Sequence, residues 1–92
     1  MIKTYADKDT KTLYETGHSK KYASFERIAL RKLDMLNAAC NVNTLRIPPG
    51  NHLEQLSGNR EGQYSIRINE QWRICFTWDG QDAFDVEIVD YH

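Results

Sequence analysis

The chain has 92 residues and a mass of 10.8 kDa, enough for one domain with a single modest core and too little for two. Hydrophobic residues make up 40 % and charged residues 27 %, and no apolar run approaches the ~18–20 residues of a membrane span, so a globular protein that does not enter a membrane is expected. The net charge of −1 hides an asymmetry, because residues 1–78 hold all 12 Lys and Arg against 8 acids while residues 79–92 hold 5 acids and no base; a basic surface is therefore compatible with the neutral total.

In chain order, the opening MIKTYADKDTK contains no apolar stretch of the kind a secretory signal needs, and Ile2 to Tyr5 reads as a short first strand. Residues from about Asp7 to Thr16 read as a helix with Leu13 and Tyr14 as its main apolar contacts, stopped by Gly17. A second helix begins with Ser24 as its expected cap and Glu26 in the first turn, where an acid suits the helix dipole. Phe25, Ile28, Ala29, Leu33 and Leu36 recur at three- and four-residue spacing, with Leu30 and Met35 widening the stripe, and the helix fades over residues 37–41. Lys32 falls inside this stripe, so its stem is expected to pack while its ammonium reaches water. Pro48-Pro49-Gly50-Asn51 is a rigid turn, and Gly58 to Gly62 is a second loop.

The last third alternates with period two. Tyr64, Ile66 and Ile68 form one apolar row, Trp72, Ile74, Phe76 and Trp78 a second, and Phe84, Val86 and Ile88 a third. Asp79-Gly80 supplies the turn between the latter two. These are half-buried antiparallel strands in a meander, with one face on the helices and one polar face. A three-residue loop at Asn69-Glu70-Gln71 pairs Ile68 with Trp72 and Ile66 with Ile74 and keeps both faces consistent, whereas a two-residue loop would set apolar against polar throughout. The favoured register places Arg67 opposite Arg73, and like charges directly opposite are destabilising. Either Glu87 or Asp85 on the neighbouring strand neutralises the pair, or the pair awaits an anion such as phosphate, which the arginine fork holds bidentately.

The chain ends Asp90-Tyr91-His92, which puts two proton-transfer side chains at the end of the last strand, Tyr91 in phase with Arg73. His18, His52 and His92 are scattered, Cys40 and Cys75 make neither a disulfide framework nor a metal-ligand spacing, and no glycine-rich phosphate loop is present. The available kit is Arg, Tyr, His and carboxylates, with no cofactor expected and a reduced, cytoplasmic setting. Metal-free cleavage of RNA suits that kit, because the 2′-OH is an internal nucleophile that needs only deprotonation, a held phosphate and a protonated leaving oxygen.

The stretch LSGNREGQYSIRINEQWRICFTW over 56–78, followed by VEIVDYH at 86–92, resembles the HigB-type toxins, plasmid-maintenance killer proteins of the RelE/ParE superfamily, and is most similar to their GraT-like branch. The resemblance covers essentially the whole chain, so residues 1–92 are expected to form a single RelE/HigB-like toxin domain. It implies an α/β (α+β), RelE-like fold, with two N-terminal helices packed on a mainly antiparallel sheet of four to five strands. It also implies a ribosome-dependent endoribonuclease that cuts mRNA in the A site. The partners it implies are the ribosome, through rRNA, its mRNA, and a neutralising HigA-type helix-turn-helix antitoxin. Operator DNA enters only through the toxin–antitoxin complex.

By the same resemblance, Arg73 is the phosphate-binding arginine and Asp90, Tyr91 and His92 form the C-terminal catalytic cluster. Well-studied members carry a histidine four residues before Gly58 and a lysine one residue before it; here these are Glu54 and Ser57. Glu54 is the candidate base at that position, though a carboxylate's unperturbed pKa near ~4.3 makes it weak at neutral pH, and His52 shares its strand parity. Lys20, Lys21, Arg27, Arg31 and Lys32, on or before the second helix, are candidate rRNA contacts. ParE-like relatives that act on DNA gyrase, and a catalytically weakened toxin serving mainly in operon autoregulation, are the alternative readings.

Overall fold

A computed structural model describes residues 1–90. Two helices, α1 (Lys8–Thr16) and α2 (Glu26–Ala38), precede four strands, β1 (Glu54–Gln55), β2 (Gln63–Arg67), β3 (Trp72–Asp79) and β4 (Asp82–Asp90). The strands form one antiparallel sheet in the order β1-β2-β3-β4. The helices cover the face that carries Ile66, Ile74, Phe76, Val86 and Ile88, which are buried with Leu13, Ala29, Leu33 and Leu36. Each such side chain contributes ~1.5–3 kcal/mol by leaving water, so this layer holds the molecule together. No helix among the described residues is long and apolar enough to cross a membrane.

Gly17 ends α1 in the left-handed conformation, with its N–H donating to the Leu13 carbonyl at 2.8 Å. Ser24 does not cap α2. It sits inside a 3₁₀ turn over Ala23–Phe25, whose Phe25 N–H donates to the Tyr22 carbonyl, so the helix starts after Phe25 with no side-chain cap. Glu26 instead reaches back, accepting from the Ser19 N–H at 3.3 Å and lying 3.3 Å from His18 Nδ1. The turn also rotates the entry to the helix. Phe25 packs against Tyr22 and Trp72, with ring centroids 5.7 and 5.2 Å away, while Ile28 faces solvent.

The β2–β3 register follows the sequence pattern: Ile66 opposes Ile74 and Arg67 opposes Arg73, and the Ile68 N–H donates to the Trp72 carbonyl across a three-residue loop. Asn69 Oδ1 closes that loop by accepting from the Gln71 and Trp72 N–H groups. The expected row of β4 is broken. Cys75 pairs with Glu87 but Thr77 pairs with Phe84, so Asp85 and Val86 together face Phe76. This is a β-bulge, with Asp85 in the left-handed region at φ 52°. The extra residue moves Ala83 into the core and turns Phe84 to the face of Arg73, where Thr77 Oγ1 donates to its carbonyl. It also explains why Ile2 to Tyr5 is not a continuous strand. That segment makes parallel bridges to Ala83 and Val86, but between them the Asp85 N–H donates to Thr4 Oγ1 instead of to a backbone carbonyl. The β3–β4 turn is Gly80-Gln81, one residue later than expected, closed by the Asp79–Asp82 pair with Gly80 at φ 64°.

Candidate active site

Strand alternation fixes the centre of the site. Trp72 and Ile74 point into the helical layer, so Arg73 between them points to the opposite face. There it is only 6 % exposed. Its Nε donates to Ser65 Oγ at 2.8 Å, and its Nη2 donates to the carbonyls of His52, at 2.5 Å, and Ser65, at 3.4 Å. Nη1 lies 3.9 Å from Glu54 Oε1. The bonds to Ser65 and His52 fix the guanidinium in one orientation, as a buried charge requires. The contact with Glu54 is longer than a hydrogen bond, and the Glu54 side chain is half exposed.

The turn that supplies the His52 carbonyl is itself fastened. His52 sits in the left-handed region at φ 44°, a conformation that costs a non-glycine residue roughly 1–2 kcal/mol. Asn51 beside it is fully buried and donates to the Leu45 carbonyl at 3.1 Å. It accepts from Lys32 Nζ at 2.5 Å. Lys32 therefore ends on Asn51, not in water, and burial together with the neighbouring Arg31 pulls its pKa down. The 42–51 segment, with its 3₁₀ turn over Val42–Arg46, carries no periodic signal in the sequence.

Arg67, although opposite Arg73 in register, turns away and donates through Nε to the Asn69 carbonyl at 3.1 Å. Neither expected acid neutralises the pair. Glu87 is bonded at 2.8 Å to Arg60 Nη1, which also donates to Gln63 Oε1 at 3.0 Å, and Asp85 is the exposed bulge residue. Glu54 is the acid beside Arg73. Under Arg60 and Glu87 lies Cys75, fully buried, its thiol pKa raised chiefly by that burial. Ser65 and Arg60 were not singled out in the sequence; the signal available for them was the strand phase of Ser65 and the position of Arg60 in the GNR loop.

Asp90 pairs with Trp72 and so falls on the opposite strand phase from Arg73; its Oδ2 accepts from Gln71 Nε2 at 3.0 Å. Tyr91 and His92 lie outside the described residues. Lys20 and Lys21 are exposed ahead of α2, with Lys21 Nζ 3.6 Å from Asp9 Oδ2, and Arg31 is exposed on α2. The structure thus gathers Arg73, Glu54 and the His52 backbone, and leaves Arg67, Asp90 and the basic residues of the helical layer apart from them. Among the described residues no group of three His, Cys, Asp or Glu side chains converges as metal ligands.

Residues 3–92 match the profile of the HigB-like toxins, described as the RelE-like toxin of the type II toxin–antitoxin system HigB. Toxin HigB-1 of Vibrio cholerae is 42 % identical over 80 residues, which span 85 % of this chain and 84 % of that protein. Endoribonuclease HigB of Proteus vulgaris is 33 % identical over the whole of both chains. Among solved structures, YafQ of E. coli superposes with a TM-score of 0.60 at 16 % identity, over 98 % of this chain and 91 % of its own. A chain of the heterotetrameric YoeB-YefM toxin-antitoxin complex of Staphylococcus aureus gives 0.58 at 18 %, over 100 % and 98 %. At these identities the superpositions speak to the fold alone, and that fold is the α+β, RelE-like one.

Proposed function

The chain belongs to the HigB-like family of RelE-like toxins of type II toxin–antitoxin systems, and from that premise we propose that it is an endoribonuclease that cuts mRNA on the ribosome and is held in check by an antitoxin. The observation that carries the reading is the buried, pre-oriented Arg73 on the sheet face away from the helices. The full-length likeness to a protein named Endoribonuclease HigB supports it. A preorganised guanidinium of this kind stabilises charge that develops on a reacting phosphate without reorganising as the reaction proceeds.

In this reading a base removes the proton of the 2′-OH. The resulting oxyanion attacks the adjacent phosphorus, the P–O5′ bond breaks, and an acid protonates the departing 5′-oxygen. Arg73 faces the phosphate, which takes the place of the loosely held Glu54 carboxylate as the anion at Nη1. Glu54, displaced but adjacent, accepts the 2′-OH proton, Tyr91 and His92 supply the acid, and Asp90, bonded to Gln71 and on the opposite strand phase from Arg73, supports them indirectly. Lys20, Lys21 and Arg31, exposed ahead of and on α2, face rRNA from the helical layer, whereas Lys32 is bound to Asn51 and Arg67 to its own loop, which leaves both out of these contacts. No cofactor takes part. The partner that neutralises the toxin is a helix-turn-helix antitoxin of the HigA type, operator DNA is reached only through that complex, and the protein works in the cytoplasm.

The test is to translate an mRNA carrying a single 2′-deoxynucleotide at a mapped cleavage position. Loss of the cut there, with 5′-hydroxyl ends at the unmodified sites, is expected; a cut that persists at the 2′-deoxy position contradicts an attack by the 2′-oxygen.

A further inference from the structure

Arg73 is held from two directions. Ser65 holds it from within the hairpin, through its hydroxyl and its carbonyl. The His52 carbonyl meets Nη2 from outside the hairpin, at 2.5 Å. Between α2 and β1 the chain forms only two 3₁₀ turns, over Val42–Arg46 and Pro49–Asn51. Over 42–53 the buried side chains are Leu45 and Asn51, so no apolar row fixes where His52 lies. A histidine at φ 44° keeps that conformation only while its surroundings impose it.

The Asn51 amide imposes it. Asn51 is fully buried, and a buried amide must find its partners within the protein. Its Nδ2 donates to the Leu45 carbonyl at 3.1 Å and to the Ile47 carbonyl at 3.5 Å, which folds the turn on itself. Its Oδ1 accepts from Lys32 Nζ, which ties the turn to α2, beside a weak contact of Nδ2 with Met35 Sδ at 3.8 Å. The Asn51 N–H donates to the Pro48 carbonyl and the His52 N–H to the Pro49 carbonyl, so the amide and the His52 carbonyl move as one piece. We infer that Lys32 and Asn51 are positioning residues for Arg73: the Lys32 ammonium, acting through the Asn51 amide, sets where the His52 carbonyl meets Nη2 and so how the guanidinium faces the phosphate. Lys32 thereby has a task different from that of the exposed basic residues around it.

The inference rests on the reading of Arg73 as the phosphate-holding group of a nuclease, and side-chain spectra separate the two. In the full chain labelled with ¹⁵N-arginine, the Arg73 signals are assigned by their loss in Arg73→Lys. The two Nη2 protons of the wild type are expected to resolve, because the His52 and Ser65 carbonyls resist rotation about Cζ–Nη2. Lys32→Met keeps the packed stem and removes the donor, and it is expected to merge them. In mRNA cleavage on ribosomes the same variant is expected to lose about tenfold or more in kcat with KM for ribosomes unchanged, as a displaced catalytic group does. Asn51→Ala is expected to repeat these changes; Lys32→Met, at a half-buried position, carries the test if that variant does not fold. Merged signals in the wild type, or resolved signals in Lys32→Met, overturn the positioning. So does a Lys32→Met that only lowers the urea midpoint, as a purely structural bond would, or that only raises KM, as a ribosome contact would. A wild type that cuts no mRNA overturns the nuclease reading, and the spectra then decide the positioning alone.

Discussion

Ser65 is the side chain on which the posture of Arg73 most depends. It is fully buried, it receives the Nε proton at 2.8 Å, and its own carbonyl accepts from Nη2. Ser65→Ala leaves a buried, charged donor without its acceptor, which costs ~1–3 kcal/mol. A urea midpoint lowered to match, together with weaker RNA cleavage, is the expected result; an unchanged midpoint contradicts the arrangement. At this scale the sequence was informative in part. Strand parity points Arg73 away from the core, because Trp72 and Ile74 on either side are apolar. Parity does not show that the arginine is buried. Its cover comes from the His52 backbone and from Glu54, which approach from outside the hairpin, and a main-chain carbonyl leaves no mark in a sequence. For the same reason the two acids expected beside the arginine pair were the wrong ones: Glu87 is bonded to Arg60.

Among the elements, β4 shows where alternation stops being a guide. Phe84, Val86 and Ile88 are two residues apart and read as one row, yet the bulge at Asp85 puts Phe84 on the other face and Ala83 in the core. An inserted residue shifts the phase while leaving the local pattern intact. The clue is Asp85 itself, since Asp tolerates the left-handed region better than most residues. Asp85→Val is expected to cost ~1–2 kcal/mol, because a β-branched residue resists positive φ, whereas Asp85→Gly is expected to stay within ~0.5 kcal/mol of the wild type. Denaturant midpoints of the two variants check this, and equal losses contradict a bulge held at φ 52°. By contrast, the β2–β3 register was legible in full, because a one-residue slip there would have exposed Ile66 and Ile74 together.

For the molecule as a whole, the helix-on-sheet layering follows from the apolar faces, whereas the 3₁₀ turn over Val42–Arg46, which has no period, was not legible. The packing also sets a pH limit. Burial, with the bond to Asp34 second, pushes the Tyr14 hydroxyl up to about 12, and burial with Asp7 does the same to Tyr22. Both start near 10 in the unfolded chain, so the folded chain keeps protons that the unfolded one releases. Their contribution is complete below about pH 10 and falls away between about 10 and 12. Lys32, whose pKa burial lowers, acts in the opposite sense as pH rises, but it is one group against four, since burial also raises Tyr5 and Cys75. The urea midpoint is expected to drop across this alkaline range, and Tyr14→Phe is expected to flatten the drop; a wild-type midpoint constant to pH 12 contradicts it.

The central claim is that Arg73 holds the scissile phosphate of mRNA on the ribosome. The measurement that tests it most directly is a time course of mRNA cleavage in a reconstituted translation reaction, with and without ribosomes, for the wild type and Arg73→Ala. In-frame cuts that require ribosomes, and that slow by ~10²-fold or more in a variant still folded by circular dichroism, are the predicted result. Intact mRNA with the wild type, or equal rates for the two proteins, contradicts the account.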